Sequence, residues 1–319
     1  MESVIYARGV GKSFRGGAVA VNGFNLQVEG GEVYGLIGRN GAGKTTALRV
    51  LMGLLRPDRG EARVLGCSLW EASRGHRQRI AYLSQSQQLP DWMSLDDLSR
   101  YTGHFYDHWD VSFLRDLARR WDLPRNTAIA RLSGGNQRLA ALAMALASRP
   151  EVILLDEPAA GLDPIARREL NQCLIDALLH GEGCTILLST HLLGDLERLA
   201  TRVGIMDHGR VVAEGVVEDW QRTMRRVQVV FPGDAPPRDF AIPGALRCTC
   251  LGPVVTALAR VTDEAQLEGI RNLPGARVYV FPLTLEELFV DWFRESSPPR
   301  ESKEDTNLPK DDVFLGPSG

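Results

Sequence analysis

The sequence predicts an α/β fold with a parallel sheet core, a helical insertion and a small α+β domain toward its C-terminal end. The apolar runs at residues 152–155 and 185–188 are short and unbroken, which is typical of strands buried on both faces of a sheet, and a helical stretch separates them. A glycine-rich loop joins a strand-like stretch at residues 33–37 to a helical pattern at residues 45–54. Strands that alternate with helices in this way favour a parallel sheet.

The helical insertion is predicted from the middle of the chain. Residues 1–65 alternate strand-like stretches with turns, whereas residues 92–123 are mostly helical in pattern. A second helix follows at residues 133–149, and Pro150 marks its end. We therefore predict a helical subdomain at about residues 86–150.

The C-terminal third has a different texture. Alternating segments at residues 227–231 and 277–281 are separated by proline and glycine clusters. We predict a first domain over residues 1–226 and a small α+β domain over residues 227–295. Residues 296–319 contain four prolines and eight charged residues. Burial cannot offset chain entropy in such a segment, so we expect it to be disordered.

Composition excludes several classes of protein. The 319 residues carry 37 Lys and Arg against 40 Asp and Glu, a formal net charge of −3 that gives no reason to expect nucleic acid as a partner. An apolar fraction of 44% is ordinary for a globular chain. No apolar run is long enough to span a bilayer, and the first residues lack the features of a signal peptide. We therefore expect the protein to stay in the cytosol.

The five cysteines are an odd number, and reduced thiols are the simplest interpretation. Cys248 and Cys250 lie two residues apart, so on a strand they would share a face and could share a metal ion. No second pair of Cys or His residues has the spacing of a zinc site, which makes a metal there the less favoured alternative.

Residues 38–45 match the phosphate-binding motif G-x-x-x-x-G-K-[ST] and lie between a predicted strand and a predicted helix. In this motif backbone N–H groups converge on phosphates, Lys44 reaches the β and γ phosphates, and the Thr45 hydroxyl can bind Mg²⁺. An accidental glycine-rich turn is the alternative, and the strand and helix on either side disfavour it. The nucleotide-binding residues expected here are Gly38, Asn40, Gly41, Ala42, Gly43, Lys44, Thr45 and Thr46.

Two carboxylates follow the apolar run at residues 152–155, where ligands of open α/β sheets bind. Asp156 would hold Mg²⁺ directly or through water. Glu157 would orient and polarise the attacking water as general base. Acidic residues after a strand are often only a solvated loop edge, but the phosphate-binding loop favours the functional interpretation.

A second anion site is suggested by residues 132–137, which read Leu-Ser-Gly-Gly-Asn-Gln. Ser133 is placed like the N-cap of the following apolar helix, and Gly134 and Gly135 leave backbone N–H groups accessible. A simple helix cap without a ligand accounts for these residues equally well.

Together, these motifs resemble the ATPase subunits of ATP-binding cassette (ABC) transporters, over residues 1 to about 225. Residues 132–137 resemble the family signature, Gln85 the Q-loop glutamine, Asp163 the D-loop aspartate and His191 the switch histidine. The resemblance implies a P-loop NTPase cassette whose parallel sheet core is joined by an antiparallel β subdomain and a helical subdomain. Asn136 departs from the glutamine that many members carry, which should leave the backbone anion site intact.

The resemblance also implies ligands and roles. ATP and Mg²⁺ would be bound, with Thr45, Gln85 and Asp156 at the metal. His191 would hydrogen-bond the γ-phosphate and the catalytic water. The residues expected to take part in catalysis are Glu157, His191, Gln85 and Lys44.

A head-to-tail dimer is a further implication, with another copy of the chain as the expected partner. Ser133 and Gly135 of one subunit would contact the γ-phosphate held by Lys44 of the other, and Gly134 and Asp163 would also belong to the nucleotide site.

Two interpretations are open for several aromatic residues, namely contact with a ligand or partner and burial in the core. Phe14 corresponds to the residue that stacks on adenine in the family, with a plain core phenylalanine as the alternative. Five aromatic residues follow the Q-loop, and most should be core, while one or two line the groove that accepts a helix of the membrane subunit: Trp92, Tyr101, Phe105, Tyr106 and Trp109.

The function implied is that of an ATP-hydrolysing subunit that drives transport through a separate integral membrane permease, on the cytoplasmic face of the membrane. Residues 285–289 resemble part of the extension of ATPases that serve drug and lipid exporters; a closing helix of an unrelated regulatory domain is the alternative. A cassette ATPase acting on ribosomes or DNA is disfavoured by the single P-loop and the absence of a long coiled coil. A sensor that binds ATP without hydrolysis is disfavoured because Glu157 and His191 are present.

Overall fold

The computed structural model describes residues 3–86, 88–180, 183–237 and 240–293. It divides them into two compact units. The first takes in the described residues up to Arg222 together with Thr284–Phe289, and the second takes in those of Thr223–Leu283 together with residues 290–293.

The first unit contains most of the helices and strands. In chain order they are β1 (Ile5–Ser13), β2 (Val19–Val28), β3 (Val33–Ile37), α1 (Lys44–Leu51), β4 (Arg59–Val64), α2 (Arg74–Gln78), β5 (Ile80–Leu83), α3 (Leu95–Gly103), α4 (Val111–Arg120), α5 (Gly134–Ala147), β6 (Val152–Asp156), α6 (Pro164–His180), β7 (Thr185–Thr190), α7 (Leu193–Leu199), β8 (Arg202–Asp207), β9 (Arg210–Val216) and α8 (Val217–Thr223).

A six-stranded sheet in the order β5-β6-β7-β3-β8-β9 forms the core of this unit. Its first five strands are parallel, and β9 pairs with β8 in the antiparallel direction. Every residue of β3, β6 and β7 is buried, and for β6 and β7 the unbroken apolar runs predicted this. The parallel sheet core predicted from the sequence is confirmed.

A separate antiparallel sheet, in the order β2-β1-β4, forms the second layer of the unit. Phe24 of β2, Val64 of β4 and Leu48 of α1 belong to one buried cluster that also contains Tyr34 of the central sheet. The shared cluster fixes α1, and the loop that precedes it, between the two sheets.

Helices α3, α4 and α5 lie between β5 and β6 in the chain, and each begins at a side-chain cap. The Ser94 hydroxyl accepts a hydrogen bond from the Asp97 N–H at 3.2 Å, and the Asp110 carboxylate accepts one from the Phe113 N–H at 2.8 Å. Ser133 caps α5 in the same way. The predicted subdomain boundaries, about 86 and 150, remain a prediction.

The expectation that most aromatic residues of this region are core is wrong. Trp92, Tyr101 and Phe105 are exposed, and Tyr106 and Trp109 are half-buried. For Tyr101 the reason is that α3 buries the face that carries Leu95 and Leu98. The other four aromatic residues lie before or after this helix.

The second unit contains β10 (Met224–Val230), β11 (Ala245–Leu251), β12 (Val254–Arg260), α9 (Glu268–Arg271) and β13 (Arg277–Pro282). The strands form one antiparallel sheet in the order β11-β12-β10-β13. The unit begins at Thr223, and the predicted boundary before residue 227 falls inside β10.

Cys248 and Cys250 lie on β11 and pack against the apolar cluster of this sheet. All five cysteines are free thiols. Burial raises the pKa of Cys248. Packing therefore accounts for the shared face of these two residues.

The last helix, α10 (Leu285–Trp292), starts within the first unit. Its first turn is a capping box, since the Thr284 N–H donates to the Glu287 carboxylate at 3.0 Å and the Glu287 N–H donates to the Thr284 hydroxyl at 3.2 Å. The Leu285 N–H donates to the Glu197 carboxylate of α7. The predicted disordered tail, residues 296–319, lies outside the described residues.

None of the helices that the structure describes combines the length and the apolar character needed to cross a bilayer.

Replacing Leu142 of α5 with Ala should lower the free energy of unfolding by about 2 to 5 kcal/mol, because the side chain is 0% exposed and its loss leaves a cavity. Leu54→Ala is the control, since that side chain is 58% exposed and its loss should cost less than about 1 kcal/mol. Urea titration of both variants measures the difference, and equal losses would contradict the burial of Leu142.

Candidate functional site

A pocket of about 450 Å³ opens where the loop after β3 meets residues that follow β5, β6 and β7. Adjacent parallel strands of one sheet present their carboxyl ends at the same edge, so these segments are brought together by the strand order. The residues that line the pocket are Ala20, Asn40, Gly41, Ala42, Gly43, Lys44, Thr45, Thr46, Gln85, Glu157 and His191.

The loop between β3 and α1 depends on its glycines. Gly41 and Gly43 have φ values of +83° and +102°, in the region that favours glycine. A Cβ atom at Gly43 would lie 2.2 Å from the Ala20 carbonyl oxygen, and one at Gly38 would lie 2.5 Å from the Met206 carbonyl oxygen. Gly43 precedes α1 without a side-chain cap, so the first N–H groups of this helix are available to an anion.

Lys44 is a buried cation inside this loop. Its ammonium group donates to the Gly38 carbonyl at 2.7 Å and lies 3.9 Å from a Glu157 carboxylate oxygen. Burial lowers the pKa of Lys44, and the charges of Glu157 and Asp156 oppose that shift. The side chain is thus held by weak partners that a phosphate could replace.

Asp156 ends β6 and is fully buried. One carboxylate oxygen accepts hydrogen bonds from the Thr45 hydroxyl at 3.2 Å and from the Ser189 hydroxyl at 2.6 Å. The other oxygen is buried and has no hydrogen-bond partner in the part of the chain that the structure describes. A buried carboxylate with an unused oxygen beside a threonine hydroxyl suits a hard cation such as Mg²⁺, or a water bound to it.

Glu157 directly follows β6 and has a φ of +51°, an uncommon conformation for a residue other than glycine. Its side chain is buried, and one carboxylate oxygen lies 2.7 Å from His191 Nδ1 and accepts from the His191 N–H at 3.3 Å. The other oxygen faces Lys44. Because the His191 side chain is 56% exposed, its imidazole can reach a ligand while it contacts Glu157.

Some of the residues that the sequence analysis assigned to the nucleotide site are not among the described residues that line this pocket. The Ser133 hydroxyl accepts from the Asn136 N–H at 3.2 Å, and Ser133 and Gly134 are exposed. Asp163 caps α6 by accepting from the Ile165 N–H at 2.8 Å. Gly135 is likewise absent from the pocket lining.

Phe14 lies in the loop between β1 and β2 and is 44% exposed, which excludes the alternative of a core phenylalanine. It does not line the described pocket, although Ala20 of the adjoining β2 does.

Sequence reasoning missed two supporting residues. Ser189, at the position of β7 opposite Asp156, hydrogen-bonds its carboxylate. Arg138 of α5 donates hydrogen bonds to backbone carbonyls in both segments that carry Gln85 and Glu157. One signal for Arg138 was present, because it is the single charged residue of an otherwise uncharged helix.

Comparison with known proteins gives a consistent result. The protein family described as ABC transporter matches residues 21–160. Nod factor export ATP-binding protein I from Burkholderia lata is 34% identical over 293 residues, which cover 89% of this chain and 94% of that protein. ABC transporter ATP-binding protein YtrB from Bacillus subtilis is 28% identical over 271 residues, covering 84% and 91% of the two chains.

Solved structures have the same fold. An ATP-binding subunit of an ABC transporter superposes with a TM-score of 0.62 at 28% identity, covering 69% of this chain and 92% of that one. A dimeric bacterial ABC transporter cassette superposes with a TM-score of 0.61 at 23% identity, covering 67% and 98%.

The extent of these matches confirms the resemblance drawn from the motifs. The chain belongs to the ABC transporter family, as one of its ATP-binding proteins.

Proposed function

We propose that the chain is the ATP-hydrolysing subunit of an ABC exporter and works on a separate membrane permease. The observation that carries this proposal is the buried group formed by Lys44, Asp156 and Glu157, with His191 in contact with Glu157. Such a group beside a phosphate-binding loop has the parts that phosphoryl transfer to water requires.

The nucleotide would be bound by the loop between β3 and α1 and by the N-terminus of α1. The triphosphate would lie across the backbone N–H groups at residues 41–46, and the Lys44 ammonium group would leave the Gly38 carbonyl for the β and γ phosphates. Phe14, exposed in its loop, offers a ring on which the adenine could stack.

Thr45, Gln85 and Asp156 would hold Mg²⁺, which when bound offsets the charge of the phosphates. The unused oxygen of Asp156 and the adjacent Thr45 hydroxyl support this assignment.

Glu157 would accept the proton of the water that attacks the γ-phosphorus, while the bond to the β-phosphate oxygen breaks and ADP leaves. Its carboxylate is oriented by the contact with His191 and by the backbone at the end of β6. Lys44 would neutralise charge on the transferred group, and His191 would hydrogen-bond the γ-phosphate.

A second copy of the chain would complete the site. The N-terminus of α5 is exposed and lies outside the pocket of its own chain, although its Ser133 and two glycines could bind an anion. In a head-to-tail dimer, Ser133, Gly134, Gly135 and Asp163 of one subunit would face the nucleotide bound by the other.

The membrane partner would dock beside the helical region. Trp92, whose side chain is 74% exposed, lies at a groove of about 680 Å³. The residues that line this groove are Gln88, Leu89, Pro90, Asp91, Trp92, Ile129, Ala130 and Gln137. An exposed aromatic side chain at a groove is a typical anchor for a partner helix. The names of the relatives from Burkholderia support export, and docking would place the protein on the cytoplasmic face of the membrane.

Glu157→Gln should reduce ATP hydrolysis by at least about a hundredfold, because the amide cannot accept the proton of the attacking water. The affinity for ATP should change little, since the phosphate loop is untouched. Steady-state phosphate release and equilibrium nucleotide binding measure the two quantities. The control is Glu151→Gln, which removes the charge of an exposed carboxylate that pairs with Arg79. The hydrolysis rate of this variant should stay within about twofold of wild type. A Glu157→Gln variant with near-normal turnover would remove Glu157 as the base.

Ser133→Arg should abolish hydrolysis and leave ATP binding to the single subunit nearly normal, because Ser133 lies outside the pocket of its own chain. Gel filtration with saturating ATP in a Glu157→Gln background should show a dimer that the added Ser133→Arg change disrupts. If Ser133→Arg weakens ATP binding by the monomer as much as it lowers turnover, the composite site is refuted.

Trp92→Ala should weaken recovery of a hydrophobic membrane subunit with the protein from detergent-solubilised host membranes, since truncation of a central aromatic anchor typically costs about 2 kcal/mol or more. ATP hydrolysis by the isolated protein should not change. Tyr279→Ala, an exposed aromatic residue of β13, is the control and should not reduce recovery. Equal recovery with both variants would rule out the groove at Trp92 as the docking surface.

A further inference from the structure

Arg138 makes an unusual set of contacts from the second turn of α5. Its guanidinium group donates to five backbone carbonyl oxygens, two in the segment after β5, one at the last residue of β6 and two just after that strand. The acceptors are Ser84 at 2.7 Å, Gln85 at 3.0 Å, Asp156 at 3.0 Å, Glu157 at 2.8 Å and Pro158 at 3.2 Å.

These contacts use the whole donor capacity of the side chain. A guanidinium group has five N–H donors in a rigid planar fork, and the five carbonyls account for that number. No carboxylate forms an ion pair with Arg138 among the described residues, so the group is held by backbone alone. Burial lowers the pKa of Arg138, while the nearby charges of Asp156 and Glu157 oppose the shift.

One of the clamped peptides is strained. Glu157 has its φ of +51°, in the left-handed region that residues with a Cβ atom rarely adopt. Its N–H donates to the Ser189 carbonyl at 2.9 Å, and its own carbonyl accepts from Arg138. The peptide groups on both sides of Glu157 are therefore fixed, and with them the direction of its side chain toward His191.

The same guanidinium group reaches the other side of the pocket. Gln85 lines the pocket with an exposed side chain, and its carbonyl is bound by the nitrogen that also binds Ser84. Arg138 thus sets the separation between the segment that carries Gln85 and the segment that carries Glu157.

We propose that Arg138 is a positioning residue for ATP hydrolysis, which holds Glu157 and Gln85 in register and ties both to the helix that begins at Ser133. This inference rests on the proposed function. In the proposed dimer, Ser133 contacts the nucleotide that is bound by the opposite subunit. Arg138 then links, inside each subunit, the residue that contacts one nucleotide with the base that acts on the other.

The test compares Arg138→Met, Arg138→Lys and Arg138→Ala in the full chain. Arg138→Met should lower kcat at least about tenfold, because small displacements of a catalytic group are costly, while the Kd for Mg-ATP changes less than about threefold. Arg138→Lys keeps the charge but offers three donors from one point, so it should not restore kcat. Adding ethylguanidinium to Arg138→Ala should raise kcat in a saturable manner, and ethylammonium at the same concentration should not.

Arg120→Met is the matched control. Arg120 binds the carboxylates of Glu169 and Asp176 on the surface, and its loss should leave kcat within about twofold. The melting temperature of each variant is recorded, so that kcat is compared between folded proteins.

Three results would overturn the inference. One is a folded Arg138→Lys or Arg138→Met variant with kcat within twofold of wild type. Another is a loss of Mg-ATP affinity as large as the loss of kcat, which indicates general damage to the unit. The third is rescue by ethylammonium equal to rescue by ethylguanidinium. A wild-type chain that does not hydrolyse ATP would instead refute the proposed function, and this inference with it.

Discussion

The site depends on one constraint, the order in which three parallel strands lie side by side. In the chain they appear as β3, β6 and β7, but in the sheet β7 lies between β6 and β3. The segments after these strands hold Lys44, Glu157 and His191. Lys44 lies more than a hundred residues before the other two in the sequence, yet all three meet at one edge of the sheet. The hydrogen bonds between these buried strands therefore bring the charged groups together, and no single local motif contains all of them.

Charge balance is the second condition that the site meets. Two buried carboxylates, at Asp156 and Glu157, lie near two cations, the buried Lys44 and the partly buried Arg138. An isolated buried charge would be costly, and mixed signs reduce that cost before any nucleotide arrives. Lys44 is held by carbonyl oxygens and a distant carboxylate, so the arrangement keeps one cation available for an incoming anion.

Site residues could be predicted from the sequence where they belong to contiguous motifs. They could not be predicted where their role depends on hydrogen bonds to backbone atoms. The phosphate loop and the acidic pair after β6 could be predicted because each follows an apolar strand, whereas the role of His191 follows only from the resemblance to the ABC family. Arg138 could not be assigned, since its acceptors are carbonyl groups that every residue has. Strand β11 went unpredicted because it is exposed or half-buried along its length and carries no clear alternation. The prediction for the aromatic residues at 92–109 was wrong because composition does not reveal which side chains the fold covers.

Residues 284–289 return to the first unit after the strands of the second unit, and residues 290–293 belong to the second unit again. Leu285 and Leu288 are buried side chains on that returning segment, and Glu197 of α7 binds its first backbone N–H. A chain shortened after residue 222 would therefore lose two buried leucine side chains that belong to the first unit.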